Sequence, residues 1–443
     1  MIQLLQSLGD GTTHLIDAPV PAASGPTLIV ETRASVISAG TERMLVDFGK
    51  ANLLEKARRQ PDKVREVVHK ITTDGLLPTL SAVRAKLDSL IPLGYCHAGV
   101  VTEKGPRVEG ISIGDRVVTN GPHAEYVRVT HTLAAKIPDS VPFESAAFTP
   151  LAAIGLQGLR LANPTLGETV VVYGLGLIGL LTVQLARAAG CQVIGIDRDS
   201  SRLALAERWG ARGVLASEGV DVAQAVLGET GGVGVDMVLL TLATDSSYPI
   251  HAAATMARKR GRIILVGVAG LALRRDDFYR KELSFQVSCS YGPGRYDPAH
   301  EEKGSDYPAP FVRWTEGRNF GAVLQLMADG AVDPAPLVSH RFAIEDAARA
   351  YDVVSGSEPS LGIVLTYRPK DNAHHASSRT VVLQAGETTQ GRGVVGWIGA
   401  GNFASRMLIP AFVKAGAKLE IIASAGGVSA ATVGARNGFS RAT

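Results

Sequence analysis

Cysteine is scarce: three residues in 443 (Cys96, Cys191 and Cys289), none of them in a C-x-x-C pair. Three thiols cannot build a disulfide framework, and the pattern suits a reducing compartment. An excess of one charge is also missing. Lys+Arg 45 against Asp+Glu 42 leaves +3, too balanced for a nucleic-acid or membrane-surface protein. No stretch of about 18 uncharged apolar residues is present to span a bilayer. Met1 to Asp17 lacks the cationic start and apolar run of a secretory signal. The expectation is a cytoplasmic protein. Apolar residues at 46% and charged residues at 20% exclude wholesale disorder. Glycine is plentiful, with 49 residues against a usual share of about 7%. Where those glycines fall carries the functional reading.

The length predicts about three domains at roughly 150 residues each. Residues 1–150 show short strand-like runs (Thr27–Thr32, Gly99–Glu103, Asp115–Thr119, Ala124–Val129) bounded by Gly, Pro or Asp, which predict a small barrel or sandwich. A helical insertion over 50–90 interrupts them. Leu53, Leu54 and Ala57, then Val64, Val67, Val68 and Ile71, recur at helical spacing. Pro61 splits this stretch, and Gly75 with Pro78 opens a third helix. Lys50 to Asp88 holds nine Lys/Arg and five Asp/Glu, a solvated face or a lid offering positive charge to an anionic substrate. Residues 151–300 alternate strand-like runs (Val170–Tyr173, Gln192–Ile196, Met237–Thr241, Ile263–Gly267) with helical ones, which predicts a parallel sheet covered on both faces. Residues 301–367 read as a return to the first domain and 368–392 as a linker. A second strand–helix–strand unit is expected over 393–443. The fold class is therefore α/β, a small β-domain plus a doubly wound parallel sheet, followed by an incomplete second unit.

The strongest motif is Gly174-Leu175-Gly176-Leu177-Ile178-Gly179, directly after a strand and opening a helix. Glycines there permit a tight turn, close approach to a pyrophosphate and close helix–strand packing; the helix N-terminus supplies amide donors. Asp197 ends the next strand 18 positions after Gly179, near the spacing of a carboxylate that binds ribose hydroxyls. It favours NAD over NADP, while Arg198 beside it softens that preference; Arg202 is a further candidate coenzyme contact. A second motif, Gly399-Ala400-Gly401-Asn402-Phe403-Ala404, is equally well placed. Only about 50 residues follow Val394, and the next strand ends at Ser424 without a carboxylate, so this unit is not expected to bind a dinucleotide well.

Three further tracts carry a resemblance: Ile37-Ser38-Ala39-Gly40-Thr41-Glu42, Leu93-Gly94-Tyr95-Cys96-His97-Ala98-Gly99, and Gly114-Asp115-Arg116-Val117. With the coenzyme motif they resemble the medium-chain dehydrogenase/reductase (zinc-type alcohol dehydrogenase-like) superfamily, implying a GroES-like barrel and a Rossmann domain. Ser290–Asp297, Tyr307-Pro308 and Val312-Arg313-Trp314 resemble a narrower group. This group is the bi-domain oxidoreductases, which fuse that superfamily to a glucose-fructose oxidoreductase/inositol dehydrogenase-like domain. The resemblance places the catalytic zinc ligands on Ala39, Tyr95 and Thr149, none of them a competent ligand set, and three cysteines exclude the family's four-cysteine lobe. No zinc or other metal is expected.

Without a Lewis acid, a side chain must handle the alcohol or carbonyl proton. Tyr95 is the first candidate, with Glu42 and Thr41 on the facing turn; His97 reads as a satisfied loop histidine. His123 and Glu125 are expected at a strand edge without a catalytic part. Tyr291 and Arg295 are candidate substrate contacts with Tyr296 and Asp297, and Arg295 and Arg313 are candidate partners for a phosphate or carboxylate. The leading reading is a zinc-independent, NAD-dependent oxidoreductase acting on a small-molecule alcohol or ketone. The fused domain implies a sugar or nucleotide-sugar of polysaccharide assembly. A quinone or enone reductase, and a non-catalytic dinucleotide-binding module, are the competing readings. A homo-oligomer, dimer or tetramer, pairing through Ile263–Val268 as edge strand, is expected.

Overall fold

The computed structural model describes residues 1–51, 90–369, 379–384 and 393–443, without the side chains of Thr41, Leu45 and Phe48. The three helices expected over 50–90 lie almost wholly outside these residues, as does most of the expected linker over 368–392.

Strand β3 (Thr27–Ser38) is the spine of the N-terminal domain; eleven of its twelve residues are buried. Its first half pairs antiparallel with β5 (His97–Lys104) and β7 (Tyr126–Thr130), and its second half with β5 and β16 (Gly362–Thr366). Register shifts at Ile29/Val30 and Thr32/Ala34 bend it, as bulges do, so one strand serves three neighbours. β6 (Arg116–Thr119), β8 (Ala134–Lys136) and β15 (Val338–Ala343) complete a seven-stranded sheet. A second sheet, β2-β1-β4 (Thr13–Asp17, Ile2–Ser7, Leu90–Pro92), packs beside it. Residues 338–366 thus return to the first sheet, with Gly362 opposite Ser38. Helix α1 (Ala39–Lys50) leaves β3 directly.

The central domain is a six-stranded parallel sheet in the order β11-β10-β9-β12-β13-β14. Its strands are Arg212–Leu215, Gln192–Asp197, Thr169–Tyr173, Val235–Leu240, Ala257–Leu265 and Ser284–Val287. Val170, Val171 and Val172 are all fully buried, because helices cover both faces. On one face lie α2 (Thr149–Ala162) and α3 (Leu177–Ala188), against which α4 (Glu316–Ala328) packs. Helix α5 (Ala347–Ser355) lies against α1. The expectation that Ile263–Val268 forms the sheet edge is corrected. β13 runs between β12 and β14, and β14 is the outer strand. β14 has four residues, and the alternation in so short a run is too weak to read from sequence.

The C-terminal residues form a sheet ordered β17-β20-β19-β18 (Val381–Val382, Arg441–Ala442, Lys418–Ala423, Val394–Ile398). The last three strands are parallel. Helices α6 (Ile409–Lys414) and α7 (Val428–Asn437) accompany them. One apolar cluster joins Ile409, Leu419, Ile422 and Phe439 to Met1, Val20, Ile29 and Tyr126, which seats this unit on the N-terminal domain.

Candidate functional site

β9 carries the first glycine motif to the C-terminal edge of its sheet. Gly174 turns the chain with φ +101°, a conformation open mainly to glycine. A Cβ on Gly179 would lie 1.9 Å from the Gly174 carbonyl oxygen, so this helix packs against its turn only as glycine. Leu177 is buried and Ile178 packs against the same core. Gly176 precedes the helix and offers no side-chain cap, leaving first-turn amides to whatever enters the cleft.

Asp197 closes the adjacent strand. Its Oδ2 accepts the Leu175 amide at 2.6 Å and its Oδ1 accepts the Asp199 amide at 2.9 Å. Each carboxylate oxygen keeps a second lone pair for a ribose hydroxyl. Arg198 is exposed, and Arg202 stands 3.5 Å from Asp199. Two adjoining cavities of about 620 and 740 Å³ share Gly40, Gly176, Arg202, Thr241 and Leu242; the larger holds Asp197 and Arg198. Amides, glycines and a carboxylate on one cleft are the donor and acceptor set a dinucleotide requires.

The facing wall comes from the N-terminal domain. Ser38, Ala39 and Gly40 line the cleft where β3 passes into α1. Thr41 lies in α1, but its side chain falls outside the described residues. Glu42 points inward and is 1% exposed. Its carboxylate accepts the Ser38 amide at 2.9 Å and the Tyr351 hydroxyl of α5, and it stands 3.3 Å from His123 Nε2. Burial, then the Glu42 charge, holds the Tyr351 hydroxyl well above the usual phenol range. His123 Nδ1 meets the Ser35 hydroxyl at 2.7 Å, and Ser35 also meets Tyr367 at 2.9 Å. Sequence reasoning read His123 as an edge residue and passed over Tyr351; only tertiary packing joins them to Glu42.

Tyr95 is partly buried against the central core, its ring centroid 6.4 Å from that of Tyr291. Beside it the Cys96 thiol is pushed far up, by burial and then by Glu42. Thr149 is fully buried at the start of α2, its hydroxyl 4.0 Å from the Met327 sulfur. His97 is buried between Thr32 (2.8 Å) and Thr119 (3.0 Å); burial first, and His123 second, hold it neutral with a pKa down to about 3. It is a satisfied histidine on a strand.

The Ser290–Asp297 tract is tightly engaged with itself. Arg295 pairs with Glu301 and lies 4.3 Å over the Tyr296 ring, and Asp297 accepts the Tyr307 hydroxyl. Tyr291 is 5% exposed. Glu316, which sequence reasoning missed, opens α4 with its carboxylate fully buried and no hydrogen-bond partner on either oxygen. Burial, then Glu301, pushes it up to about 8, against the pull of Arg295.

Comparison with known proteins agrees with this geometry. Residues 178–303 match the family described as zinc-binding dehydrogenase. The chain is 26% identical over 319 residues to the D-arabitol-phosphate dehydrogenase of Enterococcus avium, covering 63% of this chain and 83% of that protein. It is 29% identical over 281 residues to the D-guloside 3-dehydrogenase of Escherichia coli K12, covering 61% and 75%. Among solved structures, alcohol dehydrogenase TADH from Thermus sp. ATN1 superposes with TM-score 0.64 at 20% identity over 83% of this chain and all of that one. The chain is thus a dehydrogenase of CH–OH groups, similar to the medium-chain, alcohol-dehydrogenase-like enzymes.

The family's name implies a zinc ion, yet the matched range excludes the three places the resemblance gives to its ligands. Ala39 has no donor atom, and Thr149 and Tyr95 offer hydroxyls in place of the usual thiolate and imidazole. Among the described residues no three His, Cys, Asp or Glu side chains are grouped to hold a metal. These places do not fit a zinc ion. No helix among the described residues is long and apolar enough to cross a membrane.

The second glycine motif of this dehydrogenase lies at the end of β18. Gly399 turns with φ +96°, and Gly401, Asn402 and Phe403 are exposed, Phe403 to 68%. Asn402 lines a cavity of about 570 Å³ with Asp17 of the N-terminal domain.

Proposed function

We propose that the chain is a zinc-independent, NAD-dependent dehydrogenase that moves a hydride between the coenzyme and a secondary alcohol of a polyol or sugar. The reading rests above all on Asp197, whose carboxylate sits in the same cleft as the Gly174–Gly179 turn and the open first turn of α3. The coenzyme, when bound, supplies the hydride acceptor. The chain's own residues do the rest. Amides at Gly176 to Ile178 receive the pyrophosphate, and Asp197 accepts the adenosine ribose hydroxyls and repels a 2′-phosphate. Arg198 and Arg202 soften that discrimination.

The Tyr95 oxygen, as phenolate, takes the alcohol proton during oxidation, and the phenol so formed returns it during reduction. Thr41 stands with it as a candidate on the facing turn. Glu42, engaged with Ser38, Tyr351 and His123, acts as a positioning residue that fixes α1 and so the wall at Gly40. Tyr291 and Arg295 form the substrate side. Polyol and sugar-derivative relatives favour that substrate class over a quinone, and a role in polysaccharide assembly is what the resemblance to the bi-domain oxidoreductases implies. The domain limits 1–150, 151–300, 301–367 and 393–443, a cytoplasmic location and a homo-oligomer belong to the same proposal.

The deciding experiment is a fluorescence titration with NADH and NADPH on the wild type and Asp197→Ala, with zinc assayed on the same sample. NADH binding that is lost, or turned towards NADPH, in the variant supports the reading. Equal binding of both coenzymes by the wild type, or stoichiometric zinc, refutes it.

A further inference from the structure

Side chains alternate along β9. Val170 and Val172 enter the core beneath α3, whereas Val171 and Tyr173 enter the opposite one, with Ile194, Ile196 and Val222. Tyr173 is the last residue of the strand, where that second face meets the larger cleft cavity. The residue is 9% exposed, yet among the described residues its hydroxyl forms no hydrogen bond. A buried tyrosine usually finds a partner for that group. Here the charges acting on it belong to Tyr248, Arg198 and Asp197, and all three line the same cavity as Tyr173. The hydroxyl therefore faces the cavity. Burial first, and Tyr248 second, hold it above the usual phenol range. At neutral pH it keeps its proton and can donate as well as accept.

The lining of the cavity changes character around this hydroxyl. Asp197 supplies a carboxylate at the end of β10, but Val220, Val222, Tyr248 and Pro249 make the neighbouring wall apolar and aromatic. Tyr248 opens the helix Tyr248–Met256; its amide donates to Ser246 Oγ at 3.1 Å, and Pro249 follows it directly. Its ring is half exposed at the cavity. A ribose or a phosphate is polar all round and gains little from two valines, a proline and a phenol. A nucleobase has apolar faces that stack on such a wall and a polar edge that needs a hydrogen bond.

We infer that Tyr173 is a specificity-determining residue of the coenzyme site, its hydroxyl bonding the edge of the purine base in a slot walled by Tyr248 and Val220. The inference rests on the dinucleotide reading proposed above. It adds a contact to the base, which neither the glycine turn nor Asp197 supplies.

Tyr173→Phe removes one oxygen and keeps the ring, so the core behind β9 stays filled. NADH is titrated by its fluorescence on the wild type and the variant. AMP, which carries the base, and ribose 5-phosphate, which lacks it, are then titrated as competitors. The variant should bind NADH and AMP roughly three- to tenfold more weakly, the worth of one hydrogen bond. Its affinity for ribose 5-phosphate should not change. An unchanged NADH affinity overturns the inference and leaves the dinucleotide reading standing. An equal loss for ribose 5-phosphate puts the hydroxyl on the sugar and overturns the inference too. A wild type that binds no NADH overturns both.

Discussion

Replacing Glu316 with glutamine removes a carboxylic acid that the fold holds neutral. Both oxygens are buried without a partner, and burial, then Glu301, pushes the group up to about 8. In the unfolded chain it ionises near its ordinary value of about 4.3. Between those two values the unfolded chain has released a proton that the folded chain still holds. Unfolding is therefore favoured as pH rises through this window, by about 1.4 kcal/mol per pH unit. Below the window the contribution is fully present; above about 8 the folded group also ionises and nothing more is lost. From pH 5 to 8 the wild type should lose on the order of 3 to 4 kcal/mol relative to Glu316→Gln. Glutamine cannot ionise, so the difference between the proteins isolates this one group. Thermal unfolding of both at half-unit steps from pH 5 to 9 is the assay. At roughly 2 to 4 °C per kcal/mol, the midpoint of the variant minus that of the wild type should climb by several degrees and level off above pH 8. A difference that stays flat across the range would refute the reasoning.

The other predictions concern the cleft and its wall. Tyr95→Phe should reduce turnover of a polyol substrate by about a hundredfold or more while leaving NADH affinity unchanged, as stopped-flow and fluorescence titration will show. Gly179→Ala should break the coenzyme turn, since the new Cβ meets the Gly174 oxygen at 1.9 Å; weakened NADH binding and a lower melting temperature are expected. Glu42→Leu leaves Tyr351 and His123 buried beside an apolar group, and removing one member of such a cluster costs about 3 kcal/mol or more. Denaturant unfolding checks it, with unchanged stability as the contrary result.

How far the sequence disclosed this site follows from the range of the interactions involved. Gly174 to Gly179 and Asp197 were legible because a strand, a turn and a helix succeed one another within thirty residues, and each residue has a local steric or hydrogen-bonding reason. The residues compared with zinc ligands, Ala39, Tyr95 and Thr149, could be named from sequence because the resemblance and the spacing fix those positions. Glu42 was read as facing substrate because its turn faces the cleft, but the sequence holds no sign that Tyr351, 309 positions away, donates to its carboxylate. Nothing in the residues next to Glu316 marks it as a site residue. Its anomaly arises when the Ser290–Glu301 tract folds over it, with Ser290 and Tyr296 at positive φ. The outer strand β14 was missed because its four residues hold too little alternation, and Ile263–Val268 was taken as the edge although its apolar run belongs to an interior strand. Local chemistry is written in consecutive residues, whereas the charge state of a buried group is decided by whatever tertiary packing brings beside it. The functional groups most open to error are therefore carboxylates such as Glu42 and Glu316, and the pH profile of Glu316→Gln measures that dependence directly.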